Sequence, residues 1–173
     1  MSLFSRLLGY ATKEEAAGAR MSGPKAWVVP PTRNCESMLR ALPILFPDGG
    51  FVYFEGTTES RFAAWAEAHA VVPPLKIAYG TLWPRPDFFH IPLEANLMEE
   101  AAVLIKQHGI RQPTIHVHVH DGAKVLLEWH DAFEDDPMYV STALSRERVE
   151  AFASAMDVGP VSSVTSESGT HDD

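Results

Sequence analysis

The sequence predicts a single domain of the α/β (α+β) class, in which a mixed β-sheet of about five to seven strands packs against about four helices. Three observations favour this fold. The chain has 173 residues, of which 46% are hydrophobic, enough for one core but cramped for two independent ones. Apolar residues recur at every second position in some segments and at every third or fourth position in others. Pairs of turn-forming residues, such as Gly49 with Gly50 and Pro73 with Pro74, separate these segments.

The first half of the chain predicts strands that alternate with helices. Strands are expected at residues 25–29 and 51–55. Each strand leads into a helix. The first helix is expected to begin after an N-cap at Thr32 or Asn34 and to end near residue 46, and the second is expected to cover about 59–71. A strand, a helix and a strand in series are typical of right-handed crossover units. We therefore expect crossovers and parallel pairing in this half.

The second half predicts an antiparallel meander. Strands are expected at 76–82, 88–91 and 138–141 and in a hairpin, with helices at 94–108 and 145–156, the first of them capped by Gly109. The peripheral regions are residues 1–24 and a Ser/Thr/Gly-rich tail, 158–173, which is predicted to be disordered. The domain itself is expected to span residues 25–157.

The hairpin is the segment with the most distinctive pattern. Histidines occupy alternate positions at His116, His118 and His120, just before Asp121 and Gly122. A three-residue loop with Gly122 in the left-handed conformation is favoured over a two-residue turn, because it leaves one face of the hairpin wholly apolar. The imidazoles are then expected on the opposite face, half exposed and bonded to water and to cross-strand partners.

The same register disfavours a metal site. It places Lys124 opposite His118, and zinc requires at least a third ligand beyond two histidines of one strand. That ligand would have to be His90 from a neighbouring strand, or Glu128. The sequence therefore predicts no metal and no cofactor, and the weak candidates for metal ligands are His116, His118, His90 and Glu128.

Catalytic residues are not identified by any complete motif. Cys35 falls in the first turn of a predicted helix, where backbone N–H groups lower a thiol pKa, but a small, partly buried residue is the ordinary alternative. His130 and Asp131 precede further carboxylates, which would raise a histidine pKa, although a solvated turn explains the same composition. The weak catalytic candidates are His118, His130, Asp131 and Cys35.

A proline-rich loop predicts a binding surface. Tyr79, Trp83 and Arg85 combine aromatic rings with a guanidinium group, which is the composition of binding hot spots, and the prolines between them stiffen the backbone. Trp129 is a fourth predicted binding residue, with anchoring of its strand as the alternative.

Composition bounds the function. The formal net charge of −9, from 23 acidic and 14 basic residues, argues against nucleic-acid binding, which favours a basic surface. A single cysteine is typical of a reducing compartment, and no apolar run approaches the roughly 20 residues of a membrane span. These features predict a cytoplasmic, non-catalytic binding or regulatory domain, comparable in charge to immunity-type proteins, that binds a basic protein. The alternative is a metal-binding protein or metal-assisted hydrolase that uses His116 and His118.

Overall fold

The computed structural model describes residues 18–21, 25–78, 80–81 and 86–165. These residues form seven strands and four helices. The strands are β1 (Lys25–Val29), β2 (Phe51–Thr57), β3 (Phe88–Pro92), β4 (Thr114–His120), β5 (Val125–Trp129), β6 (Met138–Ser141) and β7 (Ser162–Thr165), and the helices are α1 (Cys35–Leu45), α2 (Ser60–His69), α3 (Ala95–His108) and α4 (Arg146–Ala155).

The strands form one sheet in the order β3-β2-β4-β5-β6-β1-β7. The predicted class, a single α/β domain with four helices, is confirmed. The parallel pairing expected for the first half is wrong, because every pair of neighbouring strands in the sheet is antiparallel. Helix α3 does join two strands of the same direction, β3 and β4, but β2 lies between them and runs the opposite way. Helix α4 joins β6 and β7 around β1 in the same manner, so crossovers are present without parallel neighbours.

One face of the sheet and the four helices share the main apolar core. Alternate residues of β2 and β4, such as Phe54 and Val117, pack against buried residues of all four helices. Burial of this surface stabilises the fold by roughly 25 cal/mol per Å². The helical members of the core include Met38, Leu39 and Leu42 of α1, Phe62 of α2, Met98 and Ile105 of α3, and Val149 and Phe152 of α4.

The helix ends follow the local signals in the sequence. The side chain of Asn34 accepts a hydrogen bond from the backbone N–H of Ser37 at 3.0 Å and caps α1. Glu59 caps α2 through its carboxylate instead of belonging to the helix. Gly109 ends α3 in the left-handed conformation, with φ of 62°, as predicted.

Two segments differ from the sequence-based expectation. In the described part of residues 76–82, the predicted strand is limited to an isolated bridge between Ile77 and Ala19. The tail predicted to be disordered contributes strand β7, which pairs antiparallel with β1. Residues 166–173 lie outside the described residues. Among the described helices, none combines the length and the apolar character that a membrane span requires.

Candidate functional site

Strands β4 and β5 form the predicted hairpin in a different register. Val117 lies opposite Trp129, where the predicted three-residue loop would have placed Val125. The turn is longer than expected. The carboxylate of Asp121 accepts hydrogen bonds from the backbone N–H groups of Ala123 and Lys124, at 2.8 and 2.9 Å. The strand register also shifts at the end of β4. Gly122 has a φ of 90°, in agreement with the predicted positive φ.

The predicted alternation of the two faces of β4 is confirmed, but the predicted exposure of the imidazoles is wrong. Val117 and Val119 enter the core on the helix side. His116, His118 and His120 lie on the other face and are only 6%, 2% and 0% exposed. We call this side of the sheet the histidine face; its members are Tyr53 and Glu55 of β2, His90 of β3, and His116, His118 and His120 of β4, which the strand register aligns.

Two stretches of chain cover the histidine face, residues 18–21 and residues 74–81 apart from 79. We call them the cover. They meet in the bridge between Ala19 and Ile77, and Ile77 packs against Tyr53. Among the described residues, the segments that bury the imidazoles are therefore loops and not helices.

Glu55 is a central residue of the histidine face that the sequence analysis missed. Its carboxylate is fully buried and accepts three hydrogen bonds, from the backbone N–H of Gly80 at 3.0 Å, the backbone N–H of Thr81 at 2.6 Å and the hydroxyl of Tyr53 at 2.8 Å. A buried carboxylate requires such donors. Glu55 thereby fixes the end of the cover to β2. The available signal was an acidic residue two positions after Tyr53 in an otherwise apolar strand.

His116 joins the cover to the end of the hairpin. Its Nδ1 accepts the backbone N–H of Asp131 at 3.1 Å, so the ring proton of the neutral imidazole lies on Nε2, which contacts the hydroxyl of Thr81 at 3.1 Å. A Cβ atom on Gly80 would lie 2.5 Å from the ring, so glycine is needed for this close approach. Burial lowers the pKa of His116, and the nearby Glu55 carboxylate opposes that shift.

His118 is the least satisfied group of the face. Neither of its buried ring nitrogens has a hydrogen-bond partner among the described residues. Its ring contacts Tyr53 and His130, with centroid distances of 5.5 and 5.0 Å. It faces Glu128 across the hairpin, not the predicted Lys124. Burial, with the neighbouring histidines, lowers the pKa of His118 well below its ordinary value, so the ring is neutral.

His90 and His120 form a hydrogen-bonded pair. The Nδ1 atom of His90 lies 3.0 Å from the Nε2 atom of His120, and the backbone N–H of Gly122 donates to Nδ1 of His120 at 3.2 Å. His120 also stacks on Phe51 at 5.1 Å. Burial lowers the pKa of His90 to about 4, with a smaller contribution from His120, and burial also lowers the pKa of His120.

The weak metal candidates do not converge. His90 and His118 lie on strands separated by β2, with Tyr53 between them in the register. Both nitrogens of His116 have partners, and the Glu128 carboxylate accepts a backbone N–H from the cover at 2.6 Å. Within the described ranges, no three His, Cys, Asp or Glu side chains are placed to hold a metal ion.

The residues after β5 form a loop with an uncommon backbone. We call residues 131–136 the acidic loop. Asp131 and Phe133 have positive φ angles of 45° and 70°, which non-glycine residues rarely adopt. The Phe133 ring lies 4.7 Å from that of Trp129, whose Nε1 donates to the carbonyl of Asp136 at 2.8 Å. The exposed acidic residues of the loop are Asp131, Glu134, Asp135 and Asp136.

Trp129 was a predicted binding residue with anchoring of its strand as the alternative, and its environment favours anchoring. It is fully buried, so it supports the acidic loop from within the domain. The ring of His130 contacts the histidines of β4. Its centroid lies 5.3 Å from that of His116 and 5.0 Å from that of His118. Among the described residues, no hydrogen bond or ion pair joins His130 to the carboxylate of Asp131 or of the residues after it.

Cys35 begins α1, as predicted, but its thiol is 3% exposed. Its Sγ atom donates to the carbonyl of Arg111 at 2.7 Å. Burial raises the pKa of Cys35 to about 12, which opposes the thiolate that a nucleophile requires.

The other predicted binding residues, Tyr79, Trp83 and Arg85, lie outside the described residues. They stay predictions. No family model, curated protein or solved structure matches this chain, so the functional proposal depends on the geometry alone.

Proposed function

We propose that this protein is a non-catalytic cytoplasmic binding module that recognises a basic protein through the acidic loop. The observation that carries the proposal is the anchored, left-handed backbone at Asp131 and Phe133. Such conformations cost on the order of 1–3 kcal/mol each and persist where the surroundings fix them, often at sites of function.

Several contacts hold the acidic loop in one conformation. Ala132 donates its backbone N–H to the carbonyl of Ile115 at 2.7 Å, and its own carbonyl accepts the Gln112 side chain at 3.4 Å. Phe133 and Trp129 are buried under the loop. A loop that is already ordered loses little conformational entropy when a partner binds.

The charges of the loop are available to a partner. Asp135 pairs with Arg33 at 2.9 Å, but both side chains are largely exposed, 90% and 75%, and such a pair contributes about 0–1 kcal/mol. A cation on a partner can replace Arg33 at little cost. The net charge of −9 would also steer a basic protein towards this chain and speed their encounter.

Two features support the absence of catalysis. The thiol of Cys35 is buried and bonded to a carbonyl, and the Glu55 carboxylate and both nitrogens of His116 are occupied by hydrogen bonds within the domain. These three side chains stabilise the fold, and in the described conformation none of them is free to act as a nucleophile or as a base. The buried, unpaired cysteine is also in keeping with a reducing cytoplasm.

The proposal is tested with two triple variants as baits. The loop variant carries Glu134→Gln, Asp135→Asn and Asp136→Asn. The control variant carries Glu67→Gln, Glu94→Gln and Glu147→Gln, which neutralise exposed carboxylates on the helices or at a helix start. Each removes three negative charges, so both change the formal net charge from −9 to −6. Proteins retained by each bait from lysates of the cells that produce this chain are quantified by mass spectrometry at low and at higher salt.

We expect a basic protein that is retained by the wild type and by the control, with retention that weakens as salt rises. Its dissociation constant for the loop variant should rise about tenfold, which is within the sum for three exposed charge pairs of up to about 1 kcal/mol each. Equal retention by the loop and control variants, retention independent of salt, or no retained basic protein would each overturn the proposal.

A further inference from the structure

The cover is attached to the sheet by contacts that are separate from the main core. Several of its apolar residues belong to a small cluster of their own, and the core that the helices share contains no described residue of the cover. The buried members of the small cluster are Tyr53, Ile77 and Val125, and the residues packed against them are Ala19, Met21 and Leu75. A segment with few buried apolar contacts opens at a lower free energy than the whole domain. The cover is therefore able to leave the sheet without unfolding of the helix side.

Two carboxylates on the sheet hold the described part of the cover. Glu55 accepts the backbone N–H groups of Gly80 and Thr81, at 3.0 and 2.6 Å. Glu128 accepts the backbone N–H of Met21 at 2.6 Å. Hydrogen bonds to an ionised acceptor are roughly twice as strong as those between neutral groups. Both stretches of the cover are therefore fastened to the sheet through a negative charge.

A histidine lies directly opposite each of these carboxylates. The strand register pairs His116 with Glu55 and His118 with Glu128, and side chains in such positions have Cβ atoms about 4.5–5.5 Å apart. Both imidazoles are neutral in the described structure, so they do not compete with the cover for the negative charges. A proton on either ring would place a cation beside the carboxylate. The resulting ion pair would weaken the bonds from the carboxylate to the cover.

The surroundings of the two histidines favour protonation once the cover has opened. Burial is the largest cause that lowers the pKa of His116 and of His118, and opening removes this cause. The neighbouring His130, His116 and Arg20 lower the pKa of His118 further, and Arg20 belongs to the cover. The Glu55 carboxylate opposes the lowering of the pKa of His116. The titratable and charged groups around the two rings are Tyr53 and Glu55 on β2, His120 on β4, Glu128 on β5, His130 and Asp131 after it, and Arg20 in the cover.

We propose that the cover is a flap released by acid, which leaves the histidine face when His116 and His118 gain protons while the helix side stays folded. The flap is closed above about pH 6.5, where a histidine exposed by opening would bind no proton. Below that pH, the open form takes up protons that the closed form does not. Each of the two histidines then shifts the equilibrium towards the open form by up to about tenfold per pH unit. This device controls access to the histidine face and goes beyond the recognition of a basic protein.

Hydrogen exchange of the whole protein, followed by NMR at about pH 6.5 and about pH 5.5, tests the proposal. The quantity compared is the protection factor, which is the exchange rate of an unstructured amide divided by the observed rate. This ratio removes the pH dependence of exchange itself. The amides of Met21, Gly80 and Thr81 report on the cover, and the amide of Leu42 in α1 reports on the helix side.

The variant His118→Leu removes one titrating ring, and His108→Leu makes the same change at an exposed position on α3 as its control. We expect the protection factors of the three cover amides to fall at least about fivefold between the two pH values, which is the change for one histidine with a pKa of about 6.5 in the open form. The fall should be about fivefold smaller in His118→Leu and unchanged in His108→Leu. At both pH values, the Leu42 amide should stay at least about tenfold better protected than the cover.

The proposal is overturned if the cover amides keep their protection in acid, or if they share the protection factor of Leu42 at both pH values. It is also overturned if His118→Leu shows the same fall as the wild type. Should His118→Leu fail to fold, the first two comparisons on the wild type decide.

Discussion

The two faces of the sheet are covered in different ways, although the same strands form both. On the helix side, Val117 and Val119 pack into a continuous apolar core, where stability follows the area removed from water. On the histidine face, the cover is held by a few directional hydrogen bonds, such as those to Glu55 and His116. The helix side should therefore respond to side-chain volume, and the histidine face to charge and protonation.

The largest effect expected from this difference is a loss of stability in acid. His90, His116, His118 and His120 have pKa values lowered by burial, so the unfolded chain binds more protons than the folded one in mild acid. The contribution of these neutral histidines to the free energy of unfolding is then fully present above 6.5, the pKa of a histidine in the unfolded chain. It is lost as the pH falls towards the pKa in the folded protein, which is about 4 for His90. Each histidine removes up to about 1.4 kcal/mol per pH unit.

Urea unfolding between about pH 7.5 and about pH 4.5 measures this loss. All four histidines act in the same direction, so their losses add within that interval. The double variant His90→Gln with His120→Gln should show a shallower pH dependence, whereas His108→Gln on the surface of α3 should match the wild type. If the free energy of unfolding of the wild type did not change with pH, the histidines of the histidine face would not be buried in their neutral form.

On the helix side, Leu42→Ala should lower the free energy of unfolding by about 2–5 kcal/mol, because it leaves a cavity in the apolar core beside α1. Leu42 is fully buried, and Ile44, which is 45% exposed, provides the control Ile44→Ala with a loss below about 1 kcal/mol. The loss for Leu42→Ala should be equal at neutral and at mildly acidic pH, as determined by urea unfolding. A loss that depended on pH would mean that the two faces are coupled.

On the histidine face, Glu55→Gln should lower stability by about 1–3 kcal/mol, because it weakens the bonds from Gly80, Thr81 and Tyr53. Hydrogen exchange by NMR should show that the amides of Gly80 and Thr81 lose protection first. Glu94→Gln is the control, since Glu94 is exposed and makes no side-chain cap bond. If both variants had the same stability, Glu55 would not hold the cover.

The smallest expected effect is the difference in stability between the same substitution at two neighbouring histidines, His116 and His118. His116→Leu should destabilise the protein by about 1–3 kcal/mol, because the N–H of Asp131 and the hydroxyl of Thr81 lose their partner. His118→Leu should be neutral or stabilising by on the order of 1 kcal/mol, since it removes two buried nitrogens without partners. Thermal and urea unfolding at neutral pH compare the two. Equal destabilisation by both would show that His118 has a polar partner.

Much of the fold could be predicted from the sequence, and little of the site. The helices α1 and α3 with their caps at Asn34 and Gly109, and the alternation along β4, follow from local spacing. Register and burial could not be predicted in this way. The same alternating histidines would suit an exposed strand, because exposure depends on whether another segment covers them.

By itself, the sequence determined most of the strands and helices and which side chains share a face of β4, because these properties depend on residues a few positions apart. Only the tertiary structure decided the antiparallel strand order, the hairpin register and the burial of the histidine face. The deciding contacts join residues that are distant in the chain: Thr81 lies 35 residues from His116, and Met21 lies 107 residues from Glu128. No local pattern encodes which of many polar groups a buried carboxylate or imidazole will meet.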